Sequence, residues 1–311
     1  MNIKAILKKI PGVQALSGKF ESIPARFRSS VSPAWASKYV YQKRLHKPLN
    51  LSNPVLYNEK LMWLKLYYYN KNVLVTECAD KFRVRNYVER CGLGKSLNEL
   101  YGVWNSVDDI VWEELPQQFV LKCNHGCDYN IICQDKNKLN IEESKRKLKT
   151  WQKDNFWKNA AEVNYRYISR CIVCEKYLGT VDGKTPADIK VYCFNGVPEF
   201  VGYYYDRPKN THAQKRGYFD FEWKAVPFMH PRYNSELPNI DRPEWLDRVW
   251  NEAKILSSPF PFVRVDFFEY EGNPIFAELT FTPLFCAGDM FTDEGMRILG
   301  EKIKLPTNAI N

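Results

Sequence analysis

Arg264, Asp266, Glu278 and Thr280 are the residues whose types and spacing come closest to a reactive centre. They lie in residues 262–283, which read as two strands joined by a turn around Glu271-Gly272-Asn273. Side chains alternate along a strand with period two, so Arg264 and Asp266 share a face of the first strand, and Glu278 and Thr280 share a face of the second. Two oxygen ligands on antiparallel strands, with a cation beside them, suit Mg²⁺ holding the phosphates of a nucleotide. The same spacing also fits the solvated face of an ordinary hairpin.

Two lysines add to this group. Lys122 stands in the apolar strand 118–123, directly before a loop that begins Asn124-His125-Gly126. A strand-held lysine ahead of such a loop can meet phosphate oxygens while backbone N–H groups close over them. The alternative is an edge-strand lysine whose stem lies along apolar surface. Lys190 shares a strand face with Asp188 and Tyr192 and is a second phosphate candidate, or a surface residue. Between them, strand 172–178 ends in Glu175-Lys176-Tyr177-Leu178, where backbone groups can read an adenine edge while Val173, Tyr177 or Leu178 packs on the ring. The four histidines show no HxH or HxxxH spacing, and Cys171-Ile-Val-Cys174 has no second pair, so a zinc site is not expected. No nucleophile motif is present.

These groups need elements to carry them, and the hydrophobic patterning supplies a coarse order. Helices are expected over 57–69 with Asn58 as cap, 76–90, 141–158 and 245–256, with a turn and short acidic helix over 104–115. Strands are expected over 118–123, 131–134, 170–177, 189–194, 199–205 and 217–221, with a hairpin at Asn195-Gly196. At 311 residues, 45% apolar and 15% aromatic, the chain can bury an ample core. It contains no apolar run long enough to span a bilayer, and no secretory signal pattern, so a cytoplasmic setting is expected. Nine cysteines without a regular framework fit reduced thiols there. The net charge of +9 sits wholly in residues 1–48, where ten lysines and arginines face the single anion Glu21. Ile3, Ile6, Leu7 and Ile10 lie at helical spacing opposite lysines, which fits either a helix resting on an anionic membrane surface or partner, or a solvated leader. The remaining residues are charge-balanced and carry no nucleic-acid-reading motif.

In order, Asn58-Glu-Lys-Leu-Met-Trp-Leu-Lys65, Ala79-Asp-Lys-Phe-Arg-Val-Arg85, Phe119-Val-Leu-Lys-Cys-Asn-His-Gly126, Cys193-Phe-Asn-Gly196, Phe260-Pro-Phe-Val-Arg-Val-Asp266 and Glu278-Leu-Thr-Phe-Thr-Pro283 resemble the TupA-like ATP-grasp family over roughly residues 50–305. That family is named after a teichuronopeptide-biosynthesis protein, and its members often occur among bacterial surface-polysaccharide genes. The resemblance implies an α+β, ATP-grasp fold, with nucleotide between two lobes within 118–305. A helical subdomain over 49–117 and the basic segment 1–48 would precede the lobes, and a tail over 306–311 would follow. It implies ATP and Mg²⁺ as cofactors. Lys122, Asn124, His125 and Gly126 would serve the phosphates, Glu175–Leu178 the adenine, Lys190 the phosphates again, and Asp266 and Glu278 the metal. Thr280 stands where many such enzymes have a metal-binding asparagine. Arg264 would stabilise charge developing on the transferred phosphoryl group or the tetrahedral adduct.

The implied reaction activates a carboxylate as an acyl phosphate and joins it to an amine. The implied substrates are a carboxylated sugar or glycan precursor and an amino acid or amine. Two departures stand out. Cys127-Asp128-Tyr129 replaces a Ser-Gly-Gly type loop, and Leu284–Asp289 replaces glycine-rich sequence, reshaping the acceptor pocket. Metal-dependent glycosyl transfer from a nucleotide sugar is the alternative activity, and a non-catalytic binding protein with this fold is the third reading.

Overall fold

The computed structural model describes residues 23–179, 185–205, 215–233 and 240–307; the helix expected around Ile3–Ile10 lies outside them. Two antiparallel sheets organise the chain. The first has four strands in the order β1-β4-β2-β3, formed by β1 (Leu100–Trp104), β2 (Phe119–Cys123), β3 (Asn130–Cys133) and β4 (Ile172–Lys176). The second has five in the order β7-β6-β5-β8-β9, formed by β5 (Ala187–Phe194), β6 (Val197–Tyr205), β7 (Lys215–Phe219), β8 (Phe262–Tyr270) and β9 (Asn273–Thr280). Two-residue turns close two of the hairpins of the second sheet. Asn195 (φ 48°) and Gly196 (φ 78°) join β5 to β6, and Glu271 (φ 51°) and Gly272 (φ 72°) join β8 to β9. Positive φ at both central positions is what the right-handed twist of paired strands requires.

Each sheet has its own core. Phe119, Leu121, Cys123, Ile172 and Cys174 of the first sheet pack with Leu148 of α6 (Ile141–Lys153), whose N-terminus is capped by the Asn140 side chain accepting from Glu143 N–H at 2.9 Å. The larger core lies on the second sheet. There α7 (Leu246–Ser257) buries Leu246, Val249, Ala253 and Leu256 at helical spacing. Alternation leaves the other strand faces free to carry polar groups: Ile189, Val191, Val263, Val265 and Phe267 enter the core, while Lys190, Arg264 and Asp266 point away from it.

The N-terminal part contains α1 (Ala25–Val31), α2 (Pro33–Leu45), α3 (Tyr57–Trp63), α4 (Val73–Ala79) and α5 (Val84–Arg90), and α3 runs on into a π-helical turn over Leu64–Tyr68. Three expectations are corrected here. Asn58 is not the cap of α3: its amide donates to Gly288 O at 2.7 Å, and Glu59 accepts from the N–H groups of Val55 and Leu56 at 3.0 Å. Residues 100–104 are a strand of the first sheet, and single 3₁₀ turns, Val107–Asp109 and Trp112–Glu114, replace the acidic helix. The helix expected over 76–90 is broken at Asp80, whose Oδ1 accepts from Phe82 N–H (2.9 Å) and Arg83 N–H (3.2 Å). Aspartate competes for backbone donors in this way, and the competing bonds end α4.

Three segments are tied together at Asn124, which is fully buried. Its Nδ2 donates to Asp80 Oδ1 and to Ser169 O, both at 2.8 Å, and its Oδ1 accepts from Cys171 N–H at 2.8 Å. Its carbonyl accepts from Lys81 N–H at 3.2 Å. Every hydrogen-bonding atom of this amide is used, and alanine would leave the Cys171 N–H and the Ser169 carbonyl without this partner and take one of three donors from Asp80 Oδ1. Asn124→Ala is therefore expected to lower the unfolding free energy by roughly 3 kcal/mol in urea titrations.

Candidate active site

The polar faces of the two sheets meet across a cavity of about 360 Å³. Lys122, Glu175 and Val173 line it from the first sheet, and Asp188, Lys190, Asp266 and Glu278 from the second. Of the residues singled out by sequence, Lys122, Glu175, Lys190, Asp266 and Glu278 are brought together here. On β2 and β4, Lys122 pairs with Val173, so Lys122 and Glu175 lie diagonally on one face, and Lys122 Nζ meets Glu175 Oε2 at 2.6 Å. Arg85 holds the other oxygen of Glu175 at 3.1 Å.

On the second sheet Lys190 is registered opposite Asp266, Asp266 opposite Glu278, and Arg264 opposite Thr280. Arg264 grips Asp266 with Nε–Oδ1 at 2.7 Å and Nη2–Oδ2 at 2.5 Å, and its Nη2 also donates to Thr280 Oγ1 at 3.2 Å. Thr280 Oγ1 in turn donates to Glu278 Oε1 at 3.1 Å, and Lys190 Nζ stands 3.4 Å from Asp266 Oδ2. A bulge makes this row possible. Period two alone would place Phe276 and Glu278 on the same face, yet Phe276 pairs with core-facing Phe267 while Glu278 pairs with Asp266. The extra residue, Ala277, switches the parity between them, as bulges do next to functional sites.

Lys81 was not assigned a role by sequence and is central in the structure. The break at Asp80 turns it out of a helix, and its Nζ meets Glu278 Oε2 at 3.0 Å. Lys81, with Arg264 and Lys190 behind it, holds the Glu278 carboxyl down at about 2, and burial works in the opposite direction. The charged run Asp80-Lys-Phe-Arg-Val-Arg85 was the signal available for both Lys81 and Arg85.

Other singled-out residues lie elsewhere. Asn124 is consumed by the bonds described above. His125 is buried, with Nε2 3.1 Å from Trp151 O, and burial pushes its pKa down. Gly126 packs where a Cβ would fall 2.8 Å from Tyr129 and 2.9 Å from Phe156. From the same loop, Cys127 and Asp128 reach the cavity rim. Leu178 is buried, whereas Lys176 and Tyr177 face a separate depression beside Tyr101, Gln134 and Tyr270. Beyond Thr282, Leu284, Phe285 and Cys286 are all left-handed, with φ of 49°, 61° and 60°, and the Arg44 guanidinium of α2 covers the Phe285 ring at 4.8 Å.

Asp266, Glu278 and Thr280 offer the hard oxygen ligands that Mg²⁺ prefers and could hold it, and Lys81, Lys122 and Lys190 are cations of the kind that could meet phosphate oxygens. Behind this row, Glu162 is buried, accepts from Thr282 Oγ1 at 2.7 Å, and leaves Oε2 without a partner. Burial pushes its carboxyl up to about 7 from an ordinary 4.5. The folded protein therefore holds the Glu162 proton more tightly than the unfolded chain, and this contribution to stability falls as pH rises from about 4.5 through 7. Glu162→Gln should flatten that decline: relative to the parent, the variant gains on the order of 3 kcal/mol between pH 4.5 and 7, read from denaturation curves across that range.

The family model described as TupA-like ATPgrasp matches residues 59–304. No curated protein matches the chain. Among solved structures it is similar to a D-alanine–D-alanine ligase from Bacillus anthracis complexed with ATP, at 15% identity and a TM-score of 0.39, covering 67% of this chain and 56% of that one. It is also similar to an L-amino acid ligase from Bacillus licheniformis, at 14% identity and a TM-score of 0.41, covering 80% and 48%. A third is the ATP-grasp ligase PsnB complexed with minimal precursor, Mg and ADP, at 12% identity and a TM-score of 0.41, covering 79% and 64%. The chain thus spans about half the length of the first two. With a family match across most of its length, and with the polar faces of two antiparallel sheets enclosing its charged cavity, the chain belongs to the TupA-like ATP-grasp family.

Proposed function

We propose that this chain is an ATP-dependent ligase that activates a carboxylate as an acyl phosphate and transfers the acyl group to an amine, releasing ADP and phosphate. The observation that carries the reading is the cross-strand row Lys190–Asp266–Glu278, backed by Arg264 and facing Lys122 across the cavity. Lys122 and Lys190 would bind and orient the polyphosphate. Asp266, Glu278 and Thr280 would hold Mg²⁺, which when bound neutralises phosphate charge. Arg264 keeps Asp266 in a fixed rotamer through two bonds and adds positive charge where negative charge accumulates in phosphoryl transfer. Glu175, held by Lys122 and Arg85, together with Val173, would form the base-binding end.

A carboxylated sugar or glycan precursor as the activated substrate, and an amino acid or amine as acceptor, are proposed from the family resemblance. Contact with an inner membrane face through residues 1–48 is a further part of the reading. Within that segment Arg26 is bound to Asp154 at 2.6 Å, Arg28 stacks at 3.5 Å on Tyr39, and Lys47 pairs with Asp293 at 2.7 Å. Arg26 and Lys47 are thus paired with carboxylates, and attraction to an anionic surface would fall to the other cations of residues 1–48, exposed Lys38, Lys43 and Arg44 among them. No helix among the described residues is long and apolar enough to cross a membrane.

Thermal-shift titration tests the reading. Mg²⁺ with ATP should raise Tm, UDP-glucose and UDP-glucuronate should not, and Asp266→Asn should remove the rise and cut ATP turnover about 100-fold or more. Stabilisation by UDP-sugars alone would favour glycosyl transfer. Unaltered turnover in Asp266→Asn would overturn the metal assignment.

A further inference from the structure

Four carboxylates of the cavity already have a protein cation as partner. Glu175 is held by Lys122 and Arg85, Asp188 lies 3.6 Å from Lys190, Asp266 is gripped by Arg264 with Lys190 at 3.4 Å, and Glu278 is held by Lys81 at 3.0 Å. Arg264 and Lys190 belong to the same sheet as the carboxylates they pair with. Lys81 does not. It stands between α4 and α5, its N–H is bound to the carbonyl of Asn124 beside the loop, and its side chain, 14% exposed, spans to β9.

From this arrangement we infer that Lys81 is a built-in counter-ion of Glu278 that makes metal loading conditional on phosphate. The inference rests on the assignment of Asp266 and Glu278 as metal ligands. A divalent cation arriving alone must displace an ammonium group from Glu278 while facing Arg264 and Lys190, so both its attraction and its access are poor. A polyphosphate changes the balance. Its oxygens offer Lys81 an alternative partner of higher charge, the lysine leaves Glu278, and the freed carboxylate faces a metal that now also has phosphate ligands. Metal and nucleotide therefore bind with strong positive coupling, and by linkage each raises the affinity of the other by the same factor. Lys81 is well suited to this exchange, because a lysine is a point charge on a flexible stem, unlike the bidentate Arg264 grip that keeps Asp266 in place.

The test is Mn²⁺ binding followed by electron paramagnetic resonance, with and without a non-hydrolysable ATP analogue, on the full chain. In the parent protein without nucleotide, saturable Mn²⁺ binding should be absent up to millimolar concentration, and the analogue should produce one site. Lys81→Met should bind Mn²⁺ without nucleotide at least about tenfold more tightly than the parent, because Glu278 has lost its counter-charge. Lys81→Arg should keep Mn²⁺ out in the absence of nucleotide as the parent does, because the counter-charge on Glu278 is retained. Lys81→Gln is the fallback if the methionine variant does not fold, and the same gain is expected of it. Tight nucleotide-free Mn²⁺ binding by the parent, or no gain in either neutral variant, would overturn the inference. Failure of the functional reading shows separately, as no Mn²⁺ site with the analogue in any protein.

Discussion

The constraint on which this structure turns is that a charge removed from bulk water must meet a partner. The cavity brings together Lys81, Lys122, Lys190, Arg264 and Arg85 with Glu175, Asp188, Asp266 and Glu278, and the ion pairs among them span separate parts of the chain. Arg85 and Lys122 join α5 to β2 and β4, while Lys81 joins the break between α4 and α5 to β9. Leaving any one of these groups unpaired would be strongly unfavourable, whereas a well-packed apolar replacement would be tolerated by the fold. The network is thus poor evidence for stability and good evidence for a site that handles charge.

Two local irregularities make the network possible. The Asp80 side chain ends one helix and lets Lys81 leave the helical surface, while the bulge at Ala277 lets Glu278 face the cavity although Phe276 faces the core. Both act on the backbone, and both decide where a charged group points. Asn124 links the first of them to the loop after β2, so the position of Lys81 and the path of that loop are set together.

The face-sharing of Arg264 with Asp266, and of Asp188 with Lys190, could be read from the sequence because strand alternation is strict and short-range. The register bringing Lys190 opposite Asp266 could not, since it depends on pairing across seventy-odd residues. Lys81 was hidden because the apolar spacing of 76–90 runs smoothly through Asp80, and only the aspartate's ability to bind its own following N–H groups hinted at a stop. β1 was hidden for another reason: Leu100–Trp104 is short, contains Gly102, and is half-buried throughout, so it shows no alternation. The loop residues His125 and Gly126 were found as a motif but not as a geometry, because sequence gives no sign of which way a buried imidazole turns.

The left-handed run Leu284-Phe285-Cys286 carries a consequence for how this protein can diversify. Each non-glycine residue in that conformation costs about 1 kcal/mol or more. Leu284 is 48% exposed, so burial does not offset its share. For folding alone, glycine at 284 is a downhill step, and the substitution is neutral or favourable for the fold without touching Asp266, Glu278 or the lysines. Within the turn just past Thr282, position 284 can therefore be exchanged during descent at little cost to the fold, whereas Cys286 is fully buried and Phe285 lies under the Arg44 guanidinium, so variation there is confined to the exposed tip.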